Sequence, residues 1–224
     1  MSFLNKVVLV TGASSGIGAA TAQLFAKEGA KVALVGRNVK KLNKVAEKCQ
    51  SNAIHVIRAD ISNDDEAKTV MDTTISKFEK LDVLVNNAGI SQYATIFDEN
   101  LMKCYDEIMK INVRAHVYMT HLAVPHLIES KAGMDHFTRA AAKELAPHGV
   151  RVNSVSPGPV RTDIMENSGY IDVSWDEAKH LTMLHKISEP EEIADLITFL
   201  ASEKARSITG SNYICDNGAK LKHN

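Results

Sequence analysis

Val7-Val8-Leu9-Val10, running without a break into Thr11-Gly12-Ala13-Ser14-Ser15-Gly16-Ile17-Gly18, decides the fold. Four apolar residues in a row leave no polar face, so they predict a strand buried on both sides. Ile17, Ala20, Leu24 and Phe25 then recur at helical spacing, which predicts a helix from about Gly16 to a stop at Gly29. A glycine turn between such a strand and such a helix has a specific use. Glycine permits the tight backbone path and removes the Cβ that would hold off a pyrophosphate. The helix start offers N–H groups without partners, and the positive end of its dipole, to the phosphate charge. The stretch predicts dinucleotide binding at Gly12, Ser14, Ser15, Gly16, Ile17 and Gly18.

Outward from this turn, strand and helix patterns alternate. Lys31 to Val35, Ile54 to Ala59 and Leu81 to Val85 read as strands, and Lys40 to Cys49 and Asp64 to Phe78 as helices, the latter capped near Ser62 or Asn63. Leu101 to about Ser130 reads as one or two helices broken near Pro125, and Gly133 to Leu145 as another. Val150 to Val155 is a strand before the turn Pro157-Gly158, Pro190 to Ala201 a helix, and Tyr213 to Cys215 a last strand. Residues 163 to 187, which hold Trp175, read as a lid or loop with short helices. Alternation of this kind predicts an α/β fold, a doubly wound parallel sheet of Rossmann type. With no linker, repeat or low-complexity tract, residues 1–224 read as one domain.

The bulk properties narrow the function class. A formal net charge of -1 gives no electrostatic reason to expect nucleic acid or an anionic membrane as partner. No apolar run reaches membrane-spanning length, and the N-terminal apolar run is too short for a signal peptide. The nine histidines stand at no metal-ligand spacing, so no metal is expected. Cys49, Cys104 and Cys215 are widely spaced and odd in number, which fits reduced thiols in a cytoplasmic protein.

The string Thr11 to Gly18 resembles the T-G-x-x-x-G-x-G cofactor motif of the short-chain dehydrogenase/reductase family. Three further matches follow in the same order. Asp60-Ile61 looks like the family's adenine-contacting position, and Asn86-Asn87-Ala88-Gly89 matches the N-N-A-G element that braces the central sheet. Val155-Ser156-Pro157-Gly158, with Thr162 beyond it, resembles the segment beside the nicotinamide. The resemblance runs from Lys6 to Gly218 and implies an NAD(P)-dependent oxidoreductase acting on an alcohol or carbonyl. It also implies a homo-oligomer, a tetramer in many relatives, built on helices corresponding to Leu101–Pro125 and the one starting at Gly133.

Leu34-Val35-Gly36-Arg37-Asn38 bears on which cofactor. NAD-specific members carry a carboxylate here for the ribose hydroxyls, and this chain has none. Arg37 can instead pair with the 2′-phosphate of NADP through charge-assisted bonds, so NADP is expected over NAD.

The proton-transfer residues are a different matter. Hydride transfer to a carbonyl needs a proton donor for the developing alkoxide. By resemblance that donor is a Tyr activated by a Lys four residues later, with a Ser before them and an Asn upstream. Ile111-Asn112-Val113-Arg114 resembles the Asn segment. No Tyr-x-x-x-Lys exists: Tyr93, Tyr105, Tyr118, Tyr170 and Tyr213 are followed at the fourth position by Phe97, Met109, Leu122, Ser174 and Asn217. Only Glu129-Ser130-Lys131 separates a helix end resembling Pro125-His126-Leu127-Ile128 from a helix start resembling Ala132-Gly133-Met134-Asp135. Relatives place a strand and the catalytic Ser and Tyr between those helices. Lys131 reads either as the catalytic Lys parted from its Tyr or as the helix-end Lys. Either the molecule carries residues absent from this sequence or the block is deleted, leaving an inactive dinucleotide-binding or interaction protein. Deletion of a central strand predicts a sheet that is exposed, collapsed or closed across the gap, with a loss of buried area exceeding a net stability of about 5–15 kcal/mol.

Ile164, Met165, Tyr170, Trp175, Leu181, Met183 and Leu184 fall in the family's variable substrate loop and are candidates for an apolar pocket.

Overall fold

The run Val7–Thr11 forms β1, and all five of its residues are buried. The computed structural model describes residues 2–49, 51, 53–130, 136–164 and 175–222. β2 (Lys31–Gly36), β3 (Ile54–Arg58) and β4 (Val83–Val85) join β1 in a parallel sheet ordered β3-β2-β1-β4. Register across it is regular: Leu9 lies between Ala33 of β2 and Leu84 of β4.

Side chains alternate between the two faces of this sheet, and each face has its own helices. Val8, Val10, Val32 and Leu34 pack with Phe25 of α1 (Gly16–Lys27) and Leu42 of α2 (Val39–Lys48). Val7, Leu9, Ala33 and Val35 pack on the other face with Val70 and Phe78 of α3 (Asp64–Phe78). The Asn63 side chain caps α3 by accepting the Asp65 and Glu66 N–H groups, where a cap was expected. Asp82, expected to lie within a strand from Leu81, precedes β4 and accepts the Val7 N–H at 2.8 Å.

The long helical stretch breaks at a place other than Pro125. α4 (Leu101–Met109) passes into a π-helical turn at Lys110–Arg114 and then into α5 (Ala115–Ser130). Pro125 sits inside α5, although it removes an N–H and crowds the preceding turn. Met119, Ala123 and Leu127 along the buried side of α5 are fully shielded, and that packing holds the helix through the proline.

After α6 (His136–Leu145), β5 (Asn153–Pro157) pairs with β6 (Ser211–Cys215) in a separate two-stranded parallel sheet. α7 (Trp175–Lys179) and α8 (Pro190–Ala201) lie between them in sequence, and α9 (Ala219–Lys222) follows β6. The expectation of one continuous sheet is thereby corrected: among the described residues β4 and β5 do not pair, and four parallel strands and a separate pair stand in its place, with no missing central strand shown. The β5–β6 pair is only partly buried: α6 and α8 pack against β5, whereas Asn212 and Ile214 of β6 are exposed.

Candidate functional site

The glycine turn leaves no room for side chains. Gly12 and Gly16 take φ values of 65° and 53°, a left-handed backbone that glycine adopts at no steric cost. A Cβ on Gly12 would stand 2.7 Å from the Ala88 Cα, and one on Gly16 2.8 Å from the Thr162 Cγ2. A Cβ on Gly18 would overlap the Asn87 Nδ2 and the Gly12 carbonyl oxygen. The turn is thus fitted tightly between the end of β4 and the loop after β5.

Thr11 and Asn87 join the turn to the end of β4. The Thr11 Oγ1 accepts the Asn87 N–H at 3.0 Å and the Ala88 N–H at 3.1 Å, and donates to the Val85 carbonyl at 3.3 Å. The Asn87 Nδ2 donates to the Thr11 carbonyl at 2.9 Å and the Gly12 carbonyl at 3.3 Å. Asn86 points the other way, donating to the Thr120 Oγ1 at 2.9 Å. Sequence reading did not single out Thr11, although a hydroxyl ending an otherwise apolar strand must find buried partners.

His116 was also missed. Its Nε2 donates to the Ala88 carbonyl at 2.6 Å, which places the ring proton on that nitrogen. Burial pushes the imidazole below its ordinary pKa, outweighing the opposing pull of the Ala88 bond. Asn112 lies in the π-helical turn and holds the next loop. Its Oδ1 accepts the Ile90 N–H at 2.9 Å and its Nδ2 donates to the Ile90 carbonyl at 2.8 Å.

A cleft of about 1060 Å³ opens above these contacts. Gly12, Ser14, Ser15, Gly16 and Ile17 line it at the start of α1, where the Ser15 side chain makes no capping bond to the first-turn N–H groups. Asn87, Ala88, Gly89, Pro157 and Thr162 line the opposite side, and Arg37, Asp60 and Ile61 the far end. Gly18 and Gly158 are not among the lining residues. Gly18 makes room for the Asn87 amide, and a Cβ on Gly158 would stand 2.7 Å from the Asp216 Cα. Their lack of a side chain serves packing, which a motif cannot separate from contact. Asn112 is likewise absent from the lining, and Lys131 lies outside the described residues.

The far end carries both charges. Arg37 Nη1 stands 4.0 Å from Asp60 Oδ2, with the arginine side chain 63% exposed. Burial alone would raise the Asp60 pKa, but hydrogen bonds from Ser62 and the positive charges of Arg37 and Lys110 hold it below the ordinary carboxylate range. Lys41 and Asp163 form an ion pair across the rim.

The substrate end is less complete than expected. Ile164 lines the cleft, whereas Leu181, Met183 and Leu184 are exposed and do not. Trp175 lies under the Arg161 guanidinium, 5.2 Å from its ring centre. Met165 and Tyr170 lie outside the described residues. No tyrosine is among the described lining residues.

The cradle fits a nicotinamide dinucleotide: three glycine positions that exclude a Cβ, an uncapped helix start, and a cation at the end of β2.

The family model described as short chain dehydrogenase matches residues 6–130, and the one described as enoyl-(acyl carrier protein) reductase matches residues 128–220. A 3-oxoacyl-[acyl-carrier-protein] reductase of Thermotoga maritima is 32% identical over 247 residues, covering 97% of this chain and 99% of the relative. A glucose 1-dehydrogenase of Gluconobacter oxydans is 35% identical, covering 98% of this chain and 93% of the relative. Among solved structures, a short-chain dehydrogenase/reductase of Caenorhabditis elegans with cofactor superposes with a TM-score of 0.90 at 31% identity, covering 99% of this chain and 97% of that one. A 3-ketoacyl-(acyl-carrier-protein) reductase of Brucella melitensis complexed with NADH gives 0.88 at 29% identity, covering 97% and 99% respectively.

Proposed function

Since the chain belongs to the short-chain dehydrogenase family, we propose that it is an NADP(H)-dependent oxidoreductase moving a hydride between nicotinamide and an alcohol or carbonyl substrate. The observation that carries this reading is the glycine turn seated against Ala88 and Asn87 at the uncapped start of α1. The bound nicotinamide supplies the hydride. The chain's residues hold the dinucleotide: Ser14 to Ile17 meet the pyrophosphate, Asp60 and Ile61 the adenine end, and Pro157 and Thr162 the nicotinamide end. Arg37 supports NADP over NAD, because a guanidinium with one distant carboxylate partner is available to a 2′-phosphate. His116 and Asn112 act through the backbone, by fixing the Ala88 carbonyl and Ile90.

Residues 1–224 are read as one domain. An exposed apolar row at helical spacing, Met102, Tyr105, Met109, Val113 and Val117, supports a homo-oligomer formed along α4 and α5. No helix among the described residues is long and apolar enough to cross a membrane. The free thiols Cys49, Cys104 and Cys215 support a reducing compartment such as the cytoplasm.

The doubt about turnover drawn from the sequence finds no support in the relatives, whose names are those of dehydrogenases and reductases. A block absent after α5 is also proposed. It is supported by an alignment of 247 positions against a chain of 224 residues, which leaves at least 23 positions without a residue here. The two family models meet at residues 128–130, beside Ser130-Lys131. The alternative, a protein that holds the cofactor without turnover, is not favoured by relatives named as dehydrogenases and reductases. Following NADPH consumption with a panel of ketones, and NADPH formation from NADP with a panel of alcohols and sugars, separates the two. Turnover lost in Lys131→Ala assigns that lysine to proton transfer, and turnover kept assigns it to the helix end. Binding of NADPH without consumption of any substrate contradicts the oxidoreductase reading.

A further inference from the structure

Gln92 and Glu107 line the cleft, and holding the dinucleotide uses neither. The Gln92 Nε2 donates to the Glu107 Oε2 at 2.6 Å, which joins the loop after β4 to α4. This bond leaves acceptors in excess. The Gln92 Oε1 is shielded from water and takes no hydrogen bond from a described residue. Glu107 is half-buried and forms no ion pair with a described residue. An amide oxygen and an ionised carboxylate held side by side can accept hydrogen bonds and cannot donate them. Acceptors kept from water without a donor are costly, so a ligand that brings donors gains from both. Sheet order β3-β2-β1-β4 sets Asp60 and Arg37 at one end of the cleft and this loop at the other, away from the cofactor's adenine end. Ile90, Ile111 and Ile164 supply apolar wall in the same cleft.

We propose that Gln92 and Glu107 form a subsite for a second hydroxyl group of the substrate, so that the chain takes a diol or other polyhydroxyl compound in preference to a simple alcohol. The inference rests on the oxidoreductase reading above and names its substrate class. Glu107 accepts the second hydroxyl in a charge-assisted bond. The Gln92 amide holds that carboxylate in place, and its Oε1 stands beside it as a further acceptor. The isoleucines meet the carbon skeleton. A site of this kind discriminates strongly, because a substrate without the hydroxyl leaves the carboxylate unpaired and cut off from water.

The test compares cyclohexanol, vicinal trans-cyclohexanediol and the corresponding amino alcohol, which differ at one substituent. Each is titrated into the purified full chain saturated with NADPH, a form that cannot oxidise an alcohol, and binding is read by nicotinamide fluorescence. The same titrations without cofactor are read by ligand-observed NMR. Wild type is expected to bind the diol about tenfold tighter than cyclohexanol. Glu107→Leu and Gln92→Leu, checked by circular dichroism, are expected to bring that ratio close to one. Glu107→Gln keeps the shape and an acceptor, so it serves if a leucine variant does not fold, with a smaller drop in the same ratio. Equal binding of diol and cyclohexanol by wild type overturns the proposal. A ratio unchanged in the folded variants overturns it too, and so does tighter binding of the amino alcohol than of the diol, which marks a cation site. Wild type that fails to bind NADPH but prefers the diol in the NMR titration retains the subsite and loses the dinucleotide reading. Wild type that binds NADPH and shows no diol preference loses the subsite alone.

Discussion

Asn112 grips Ile90 by both of that residue's backbone polar groups, through its Oδ1 at 2.9 Å and its Nδ2 at 2.8 Å. The pair ties the loop after β4 to the π-helical turn, so the irregular helix and the cofactor loop share one anchor. Replacing Asn112 with Ala removes both bonds and strands the Ile90 amide, at a cost of about 1–3 kcal/mol. Asn112→Asp keeps the acceptor but sets a carboxylate oxygen against the Ile90 carbonyl, so it is also expected to lose stability in urea unfolding. Equal stability of wild type and Asn112→Ala would contradict the anchoring role.

His116 gives the fold a pH dependence. Its folded pKa lies below the unfolded value, so the unfolded chain takes up the proton first as pH falls. Its contribution is full above about 6.5, the ordinary histidine value, and is lost as pH falls through the folded pKa. His55 is shifted the same way by burial and by Lys77, and titrates in both proteins of the comparison. Stability of wild type is expected to fall more steeply below neutrality than that of His116→Gln, whose amide can still donate to Ala88. Parallel unfolding midpoints across that range would refute the assignment.

Asp82 ties the start of β1 to the start of β4. Its carboxylate accepts the Val7 N–H at 2.8 Å and meets Lys80 and Lys6 at 2.8 and 3.1 Å. Burial raises its pKa, but the bonds from Lys80, Val7 and Lys6 together lower it further. Both lysines are more than a third exposed, so water screens the ion pairs and the Val7 bond dominates. Asp82→Ala is expected to cost about 1–3 kcal/mol and Asp82→Asn, which keeps an acceptor, clearly less. A larger loss in the asparagine variant would show that charge is the main contribution.

Much of this was legible from the chain because local pattern and burial agree. The run Val7–Val10 has no polar face and became a strand buried on both sides, and the Gly16, Asp64 and Pro190 helices start where their sequence signals stand. What escaped depends on contacts between distant segments. Nothing near Pro125 tells that Met119 and Leu127 are packed well enough to carry a helix through it, or that the break falls at Lys110. His116 and Thr11 gain their roles from Ala88, 28 and 77 residues away. The glycines show the same limit, since Gly12 lines the cleft while Gly18 and Gly158 only admit a neighbour's backbone or amide.

The proposed preference for NADP rests on Arg37. A charge-assisted contact to a 2′-phosphate, lost in Arg37→Ala, is expected to weaken NADPH binding about tenfold or more and leave NADH nearly unchanged. Raised salt should narrow the gap between the two cofactors in wild type, because the arginine is exposed. An unchanged ratio of the two affinities in the variant would return Arg37 to the solvated surface.

Dinucleotide binding at the glycine turn is measured by titrating NADPH into the purified protein, read by nicotinamide fluorescence, in wild type and in Gly12→Val. The substitution puts a branched side chain where a Cβ already meets the Ala88 backbone at 2.7 Å and where φ is 65°. Saturable binding to wild type at one site per chain, lost in a variant whose circular dichroism is unchanged, is the predicted result. Failure of wild type to bind either NADPH or NADH, or undiminished binding in the folded variant, would contradict the account.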